Sequence, residues 1–415
     1  MRAPEAIHRD SAARPRWLSI IGIGEDGVTG LSATARGLIA AAEIVFGGRR
    51  HIDLAASLIR KQTRAWPNPF DGAADEVLQQ RGRPVCVLAT GDPFHYGVGT
   101  VLARHIDAHE MNVLPAPSAF SLAAARLGWS LQQTVLLSVH GRALDLVRPH
   151  LQKGARILAL TSDGDGPAAL AKLLAPLGFG ASRLTVLEAL GGPRERVRSI
   201  TASAFDFGTV DSLNTVAIEV EATPDARILA RTPGLADALF EHDGQITKRE
   251  IRAATMSSLA PRRGELLWDV GAGCGSVAIE WMLADPTLRA IAIERSPERA
   301  ARIRRNAAAF GVPGLEIVED AAPAALAGLA PPDAIFIGGG ASDAGVLDAA
   351  TEALHGGGRL VANAVTLDTE ASLLARHAVL GGELLRIAIA RSGKVGGKAA
   401  WRAALPLTQW VWVKP

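Results

Sequence analysis

The sequence lacks the features that mark a secreted, membrane-spanning or nucleic-acid-binding protein. It has two cysteines, Cys86 and Cys274, in unrelated segments without metal-type spacing, which excludes a disulfide framework and indicates a reducing compartment. Its 44 lysines and arginines nearly balance its 42 aspartates and glutamates, so no nucleic-acid partner is expected. It has no run of about eighteen apolar residues, and residues 1–16 contain no apolar signal segment. We expect a cytoplasmic protein with no membrane contact, no bound metal and a disordered tail at residues 1–16.

Low-complexity tracts and short-period repeats are also absent, and a length of 415 residues favours two domains over one. In the first half, apolar runs alternate with helical patterns, which predicts an α/β domain or two α/β lobes. The proline-containing, charged segment Glu221–Gln245 is predicted to be the linker. The apolar runs before it are "WLSIIGIG", "EIVFGG", "PVCVLAT", "MNVLPAP", "TVLLSVHG", "RILALTS" and "NTVAIEVEA".

The second half has a more regular pattern, in which seven apolar runs alternate with helical segments. This pattern predicts a doubly wound, seven-stranded sheet with helices on both faces. The loop "SGKVGGKAAWRAALP" before the final run would let the last strand lie antiparallel to its neighbours. The predicted fold class is therefore α/β in both halves.

Three glycines, Gly271, Gly273 and Gly275, follow the first strand of the second half in "WDVGAGCGSVAIE". A turn between a strand and a helix exposes backbone N–H groups at the carboxyl edge of a sheet, where cofactors bind. The dinucleotide fingerprint needs a glycine where this chain has Ser276, so the spacing favours S-adenosylmethionine (SAM). Glu294, at the end of the next strand, would accept hydrogen bonds from the ribose of either ligand, and a dinucleotide stays the alternative.

The surroundings of this turn resemble a family of class I SAM methyltransferases. The stretches "DGQITKREIRAATMSSLAPRRGELLWDVGAGCGSVAIE", "PDAIFIGGG" and "LHGGGRLVANAVTL" are similar to the C-15 methyltransferases and decarboxylases of corrin synthesis. Thr247 has an equally good alternative role as the N-cap of the next helix. The resemblance implies SAM contacts at Thr247, Gly271, Ala272, Gly273, Cys274, Gly275, Glu294, Ala321 and Ala322. It implies substrate contacts at Gly338, Gly339, Gly340, Asn363, Arg391 and Lys394.

The first half resembles the class III tetrapyrrole methylases in "IIGIGEDGVTGL", "ATGDPFHYGVGTVL" and "PAPSAFSLAAARLGWSLQQTVLLSVHGR". The resemblance implies two α/β lobes with SAM folded in the cleft between them. The family's G-x-G-P-G-D loop is altered here, so no substrate contact is assigned to Glu25 or Asp26. "GDP" is also an ordinary turn sequence, and Arg142 is equally well explained as part of a polar loop. The expected SAM contacts are Gly91, Asp92, Ser118 and Ala119, and the expected substrate contacts are Tyr96 and Arg142.

The order of the two resemblances is that of the fused methyltransferase–decarboxylases of corrin-ring synthesis. It implies that residues 17–222 methylate precorrin-6B at C-5, using one SAM site. It implies that residues 234–415 methylate C-15 from a second SAM site and decarboxylate the ring C acetate, giving precorrin-8. Family likeness also suggests a homo-oligomer assembled through the C-terminal domain.

The substrate of such an enzyme carries many carboxylates, so arginines are expected at the mouths of the clefts. By contrast, Arg299, Arg302, Arg304 and Arg305 are predicted to form a solvated helix face. No catalytic acid or base is identified, because the ten histidines form no dyad in the sequence. The rival functions are a two-site methylase of another tetrapyrrole, an NAD-dependent dehydrogenase and a non-catalytic corrinoid carrier. The two SAM-type loops disfavour the carrier, and Ser276 disfavours the dehydrogenase.

Overall fold

The computed structural model describes residues 16–67 and 72–415. The chain forms two compact units, one of residues up to 142 and 152–227, the other of residues 143–151 and 228–415. The tail predicted at residues 1–16 lies, except for Arg16, outside the described residues. None of the helices in the described part of the chain combines the length and the apolarity that a bilayer crossing requires.

The first lobe of the first unit is a five-stranded sheet in which every pairing is parallel, in the order β3-β2-β4-β1-β5. The interior strand "LSIIGI" is buried on both faces, because Ile20 belongs to one apolar cluster and Ile21 to the cluster on the opposite face. The strands are β1 (Leu18–Ile23), β2 (Ile44–Gly47), β3 (Gln62–Ala65), β4 (Val85–Thr90) and β5 (Met111–Leu114). The helices are α1 (Ala33–Ala41), α2 (Arg49–Ala55), α3 (Ala73–Leu78) and α4 (Gly99–Leu102).

The second lobe is a mixed five-stranded sheet in the order β6-β7-β10-β8-β9, in which only β6 and β7 are parallel. Its helices are α5 (Ala119–Leu127) and α6 (Gly166–Leu174), and Phe120 of α5 packs against Leu158 and Leu187 of the sheet. The strands are β6 (Thr134–Ser138), β7 (Arg156–Leu160), β8 (Arg183–Glu188), β9 (Arg196–Thr201) and β10 (Asn214–Glu219).

The seven strands predicted for the first half are all present, but three more occur. β3 and β9 lie at sheet edges with mostly exposed side chains, so they lack the apolar run on which the prediction depends. β8 is buried and apolar, and the prediction omitted it although the signal is there.

The second unit contains a seven-stranded sheet in the order β13-β12-β11-β14-β15-β19-β16. β19 is antiparallel to β15 and β16, and the remaining pairs are parallel, which confirms the predicted doubly wound α/β fold. The strands are β11 (Leu266–Val270), β12 (Arg289–Ile293), β13 (Glu316–Val318), β14 (Ala334–Ile337), β15 (Arg359–Ala364), β16 (Glu383–Ile387) and β19 (Leu407–Val413). The helices are α7 (Arg249–Leu259), α8 (Ser276–Ala284), α9 (Pro297–Phe310), α10 (Val346–Ala353) and α11 (Leu367–Leu380).

Two segments of the second unit differ from the prediction. The glycine-rich stretch predicted as a loop forms a hairpin of β17 (Ala390–Val395) and β18 (Lys398–Ala403). The predicted linker contributes Leu229, Leu235 and Phe240 to the core of the second unit. Prolines and charges separate these apolar residues in the sequence, which hides their burial from a periodicity argument.

Candidate functional site

The second unit has a cavity of about 670 Å³ at the carboxyl ends of β11, β12, β14 and β15. This volume lies within the range of small-molecule sites, and the carboxyl edge of a parallel sheet is where such sites form. Backbone at three strand ends supplies much of its wall. The cavity therefore lies where the glycine turn predicts it.

The turn after β11 is built from glycines because backbone approaches backbone there. A Cβ on Gly271 would lie 2.7 Å from the carbonyl oxygen of Gly339, and its φ of +69° is left-handed. Gly275 has a different reason, since its Cβ would meet the side chain of Ile303 on α9 at 2.8 Å. Gly271 thus leaves bare backbone facing the cavity, whereas Gly275 lets two helices pack.

Glu294, directly after β12, is buried and held by backbone amides on both carboxylate oxygens. Its Oε2 accepts from Gly273 N at 2.8 Å and its Oε1 accepts from Ser296 N at 3.0 Å. Each carboxylate oxygen has a further lone pair, so the group is fixed in place and can still accept hydroxyl hydrogen bonds. This geometry suits recognition of a ribose.

Asp269 is a buried acid near this site that the sequence reasoning missed. Its Oδ2 accepts from Ala278 N of α8 at 3.0 Å, while its Oδ1 has no hydrogen-bond partner among the described residues. Burial raises the pKa of Asp269 to about 7, against the hydrogen bond from Ala278, and the nearby charge of Glu294 adds to the rise. An acid in the apolar strand just before the glycine turn was the available signal.

Most of the expected SAM contacts of the second half lie together in the cavity wall. Cys274 and Gly275 are buried behind the turn and do not line the cavity. Thr247 lines it and does not cap the helix, because Lys248 occupies the N-cap position of α7. The residues brought together are Thr247, Gly271, Ala272, Gly273, Glu294, Ala321 and Ala322.

The same cavity is lined by the expected substrate contacts Gly338, Gly339, Gly340, Asn363 and Arg391. Arg391 is ion-paired with Glu250 of α7, whereas Lys394 lies farther along β17 and does not line the cavity. The prediction of a solvated arginine face on α9 is wrong for two members. Arg299 lines the cavity and Arg302 is buried, because this side of the helix faces Asp243 rather than water. Lys248, Arg295 and Asp320 also line the cavity and were not predicted.

In the first unit, the carboxyl end of β1 and the loops that follow β4 and β5 meet at backbone contact distance. A Cβ on Gly22 would lie 1.8 Å from Gly91 O, and one on Gly91 would lie 2.8 Å from Pro117 O. The structure therefore brings Gly91 and Asp92 beside Ser118 and Ala119. The Oδ1 of Asp92 accepts from Phe94 N at 2.8 Å, which holds the turn, and Ser118 Oγ accepts from Ser121 N at 3.2 Å as the cap of α5.

Tyr96 and Arg142, the expected substrate contacts of this half, also lie together. The guanidinium carbon of Arg142 is 5.7 Å from the centre of the Tyr96 ring, a cation–π distance. Tyr96 Oη donates to Leu136 O at 3.3 Å, which ties the first lobe to β6 of the second. Both side chains remain exposed.

A charged network that the sequence reasoning did not find crosses the two lobes. Glu25 is buried and accepts from Arg50 and, at 3.2 Å, from Arg194 of the second lobe. The Nε2 of His51 lies 2.9 Å from Arg50 and 2.7 Å from the hydroxyl of Thr90. Arginine only donates, so this nitrogen accepts. Burial lowers the pKa of His51 to about 4, helped by the Arg50 charge, and the imidazole is neutral.

Comparison with known proteins decides the family. Residues 238–414 match the family described as "Precorrin methyltransferase domain", and residues 18–206 match "Tetrapyrrole (Corrin/Porphyrin) Methylases". A Sinorhizobium protein named precorrin-6Y C(5,15)-methyltransferase [decarboxylating] is 63% identical over 398 residues, covering 96% of each chain. The present chain belongs to that family. It is therefore a decarboxylating C-methyltransferase, which confirms the predicted family and reaction class.

A relative from another genus gives the same result. The protein of that name from Mycobacterium tuberculosis is 41% identical over 396 residues, covering 94% of this chain and 98% of its own. The crystal structure of the C-terminal domain of precorrin-6Y C5,15-methyltransferase from Rhodobacter capsulatus is 48% identical, with a TM-score of 0.43. It covers 45% of this chain and 100% of that chain. Membership in this methyltransferase family implies SAM as the methyl donor.

Proposed function

We propose that the two halves divide the family's reactions between them. Residues 17–222 methylate a precorrin at C-5, and residues 234–415 methylate C-15 and decarboxylate the ring C acetate. One observation carries the proposal. In each unit, two glycines bring backbone against backbone at the carboxyl edge of a sheet, Gly22 against Gly91 and Gly271 against Gly339. A probable cobalt-precorrin-6B C(15)-methyltransferase (decarboxylating) of Saccharolobus solfataricus supports the division, since it aligns over 92% of its length but 42% of this chain.

The second unit fits SAM on the observations that a Cβ at Gly271 would clash and that Glu294 is held for a diol. The backbone from Gly271 to Gly273 would hold the amino-acid tail, and Glu294 the ribose. Thr247, Ala321 and Ala322 would flank the adenosine. SAM, when bound, supplies an activated methyl group for in-line transfer to a ring carbon.

The protein's own contribution to methyl transfer is orientation and exclusion of water. The walls would hold the ring carbon against the methyl group, so that binding energy offsets the entropic cost of bringing the two together before the methyl group is transferred. For decarboxylation, the bond between the acetate methylene and the carboxylate breaks and CO2 leaves. The electron pair enters the conjugated ring, and the methylene takes up a proton to become a methyl group. The cavity orients and desolvates that acetate.

In the first unit, Gly91, Asp92, Ser118 and Ala119 would form a second SAM site, since Gly91 has no room for a Cβ. Arg142 is exposed beside Tyr96 and is the group we assign to a substrate carboxylate. Arg391 has the same role in the second unit, at the cavity wall.

We further propose that the protein is a homo-oligomer assembled through its second unit. Helix α11 has fourteen residues, and Leu373 is its one buried residue. Leu367 is 82% exposed and Val379 is 78% exposed on this helix. Apolar side chains that are this exposed on one helix indicate a protein contact surface.

The division of labour is tested in the full chain with two alanine variants. Gly22→Ala places a Cβ against Gly91 O, and Gly271→Ala places one against Gly339 O. We expect the first variant to lose methylation at C-5 and the second to lose methylation at C-15, each by more than about a hundredfold because a 1 Å misplacement costs that much. The measurement is the product mass and methyl position after incubation with the precorrin and labelled SAM.

The controls are Gly37→Ala and Gly314→Ala, where a Cβ meets no atom within 4 Å. Loss of both methylations in one variant would overturn the division between units. If the wild-type protein binds the substrate tightly but leaves its mass unchanged, the result would support the carrier function instead. If the protein acts only on an earlier tetrapyrrole, the result would support the rival methylase.

A further inference from the structure

Four polar side chains, three of them buried and one half-buried, form a connected group beneath the cavity of the second unit, and we call them the amide cluster. They are Thr255 and Ser258 of α7, Asn363 of β15 and Gln409 of β19. Thr255 is 0% exposed, Gln409 1% and Asn363 7%. Asn363 and Gln409 are direct cross-strand partners in strands that are otherwise mostly apolar. Two amides at this position of a sheet core require a reason, because buried polar groups are costly unless they are satisfied.

The hydrogen bonds fix the direction in which each amide points. Ser258 Oγ donates to Gln409 Oε1 at 2.8 Å, which leaves the Gln409 nitrogen to face Asn363. Gln409 Nε2 donates to Asn363 Oδ1 at 2.9 Å and to Thr255 Oγ1 at 3.2 Å. Asn363 Nδ2 then donates one hydrogen to Thr255 Oγ1 at 3.0 Å. A 180° rotation of the Asn363 amide would place nitrogen against nitrogen, so one orientation is selected.

This arrangement leaves one group for a ligand. An asparagine nitrogen carries two hydrogens, and the described residues provide a partner for only one of those on Asn363. Asn363 is also the one member of the amide cluster that lines the cavity. The network therefore presents a neutral N–H donor, held at a fixed angle, on the side of the cavity that the glycines of the SAM turn do not occupy.

A neutral donor is best suited to a carboxylate that loses its charge during the reaction. A cation such as Arg391 stabilises the ionised carboxylate and is suited to the substrate carboxylates that survive the reaction. When the acetate loses CO2, its negative charge moves from the carboxylate to the ring. A cation bound to that carboxylate would therefore stabilise the ground state more than the transition state. An amide N–H orients the same group and stabilises its charge less.

We propose that Asn363 donates this N–H to the acetate carboxylate that is decarboxylated, and that Gln409 and Thr255 are positioning residues for it. The inference rests on the proposed function of the second unit. Asn363 gives up no proton. Its hydrogen bond holds the carboxylate while the carbon–carbon bond breaks, the electron pair enters the ring and CO2 departs.

The test uses Thr255→Val and Thr255→Ser in the full chain, with Asn363→Asp as a second probe. Valine keeps the shape of threonine but removes the oxygen that holds both amides, whereas serine keeps the oxygen and loses a methyl group. Single-turnover rates of CO2 loss and of C-15 methyl transfer are followed by mass, and SAM affinity by calorimetry. We expect CO2 loss to fall about tenfold or more in Thr255→Val and Asn363→Asp, because the acetate would no longer be held in the orientation from which CO2 leaves. Thr255→Ser should restore most of the rate.

The pattern of rates separates the possible results. SAM affinity and methyl transfer should change much less than CO2 loss. An equal fall in both rates, or a fall in Thr255→Ser as large as that in Thr255→Val, would mean that the amide cluster serves only stability and would overturn the inference. Full CO2 loss in Asn363→Asp would also overturn it. Failure of the wild-type protein to decarboxylate would instead refute the proposed function.

Discussion

The two units hold the polar side chains at the carboxyl edges of their cofactor-site sheets in different ways. In the first unit, Glu25, Arg50 and Arg194 form ion pairs that join the two lobes. In the second unit, Glu294 is held by backbone N–H groups, and Asn363 belongs to a network of neutral side chains. The first edge therefore satisfies the charge of Glu25 with arginines, whereas neutral donors satisfy Glu294 and Asn363 in the second.

This difference corresponds to the chemistry that we propose for each unit. Methyl transfer requires that an anionic ring be held in place, and arginines do this well. Decarboxylation also requires that one carboxylate lose its charge, and a cation bound to that carboxylate would oppose the step. A neutral donor such as Asn363, in a cavity whose wall also carries Arg391, combines anchoring with charge loss.

The second unit also contains an ion pair in which both side chains are buried, placed behind the cavity. Arg252 is 0% exposed and donates from Nε to Glu280 at 2.6 Å. Glu280 also accepts from Gly234 N at 2.7 Å and from Leu235 N at 2.8 Å, and Arg252 donates to Thr247 O. The pair thus fixes the segment that brings Thr247 to the cavity.

Removing one partner of this pair is the largest effect that we predict. Arg252→Met should destabilise the second unit by about 3–5 kcal/mol, because Glu280 would remain buried without its counter-charge. SAM binding to this unit should weaken as well, since Thr247 loses its support. The measurement is urea unfolding followed by hydrogen-exchange mass spectrometry of α8 peptides.

The matched control is Arg304→Met. Arg304 pairs with Glu319, but their side chains are 54% and 36% exposed, so the loss should be about 0–1 kcal/mol. Equal effects of the two substitutions would show that the buried pair does not organise the segment.

The sequence predicted most of the backbone frame of both sites but few of the buried polar contacts. Gly91, Gly271 and Glu294 follow apolar strands directly, and the end of a parallel strand determines where they lie. The role of Gln409 depends on which strand pairs with β15, and β19 reaches it from 46 residues farther along the chain. Local periodicity contains no information about such a pairing.

Charge in the sequence was a poor guide to exposure for a related reason. Arg302 on α9 reads as part of a solvated face, yet it is buried beside Asp243, a residue of the segment predicted to be the linker. Asp269 was overlooked because an acid inside an apolar strand is unusual, and the pattern drew attention to the glycines that follow it. Arg302 is buried by a segment that is distant in the sequence, and Asp269 by the elements packed on its strand. A local sequence pattern shows neither.

Asp269 sharpens the comparison between the units through its dependence on pH. Its pKa is raised by burial to about 7 in the folded protein, from 3.8. The folded state therefore binds more protons than the unfolded state between pH 4 and 7, and stability falls as pH rises through this window. Relative to wild type, Asp269→Asn should gain up to roughly 4 kcal/mol between pH 4 and pH 8. The difference in stability between the variant and wild type is measured by urea unfolding, monitored through hydrogen exchange of β11 peptides.

The half-buried Asp285 is the control, because Thr287 lowers its pKa from 3.8. Asp285→Asn should show an almost constant difference between pH 4 and pH 8, since the carboxyl is ionised in both states there, and a change in the opposite direction only below this range. A flat difference for Asp269→Asn would mean that Asp269 is ionised throughout this range and that burial does not raise its pKa.

His51 makes the first unit respond to pH in the opposite sense. Its pKa is lowered by burial to about 4 in the folded protein, from 6.5, so the unfolded state binds more protons between these values. Stability should therefore rise with pH across this window, by about 3 kcal/mol at most. His51→Gln keeps an acceptor for Thr90 and Arg50 but does not titrate, so its stability relative to wild type should fall as pH rises from 4 to 6.5 and stay constant above pH 7. Hydrogen exchange of β2 and β4 peptides in urea measures this. A constant difference from pH 4 upward would mean that the pKa of His51 stays at 6.5 in the folded protein. His51 would then be protonated below that pH, and Arg50 would face a second cation where we place an acceptor.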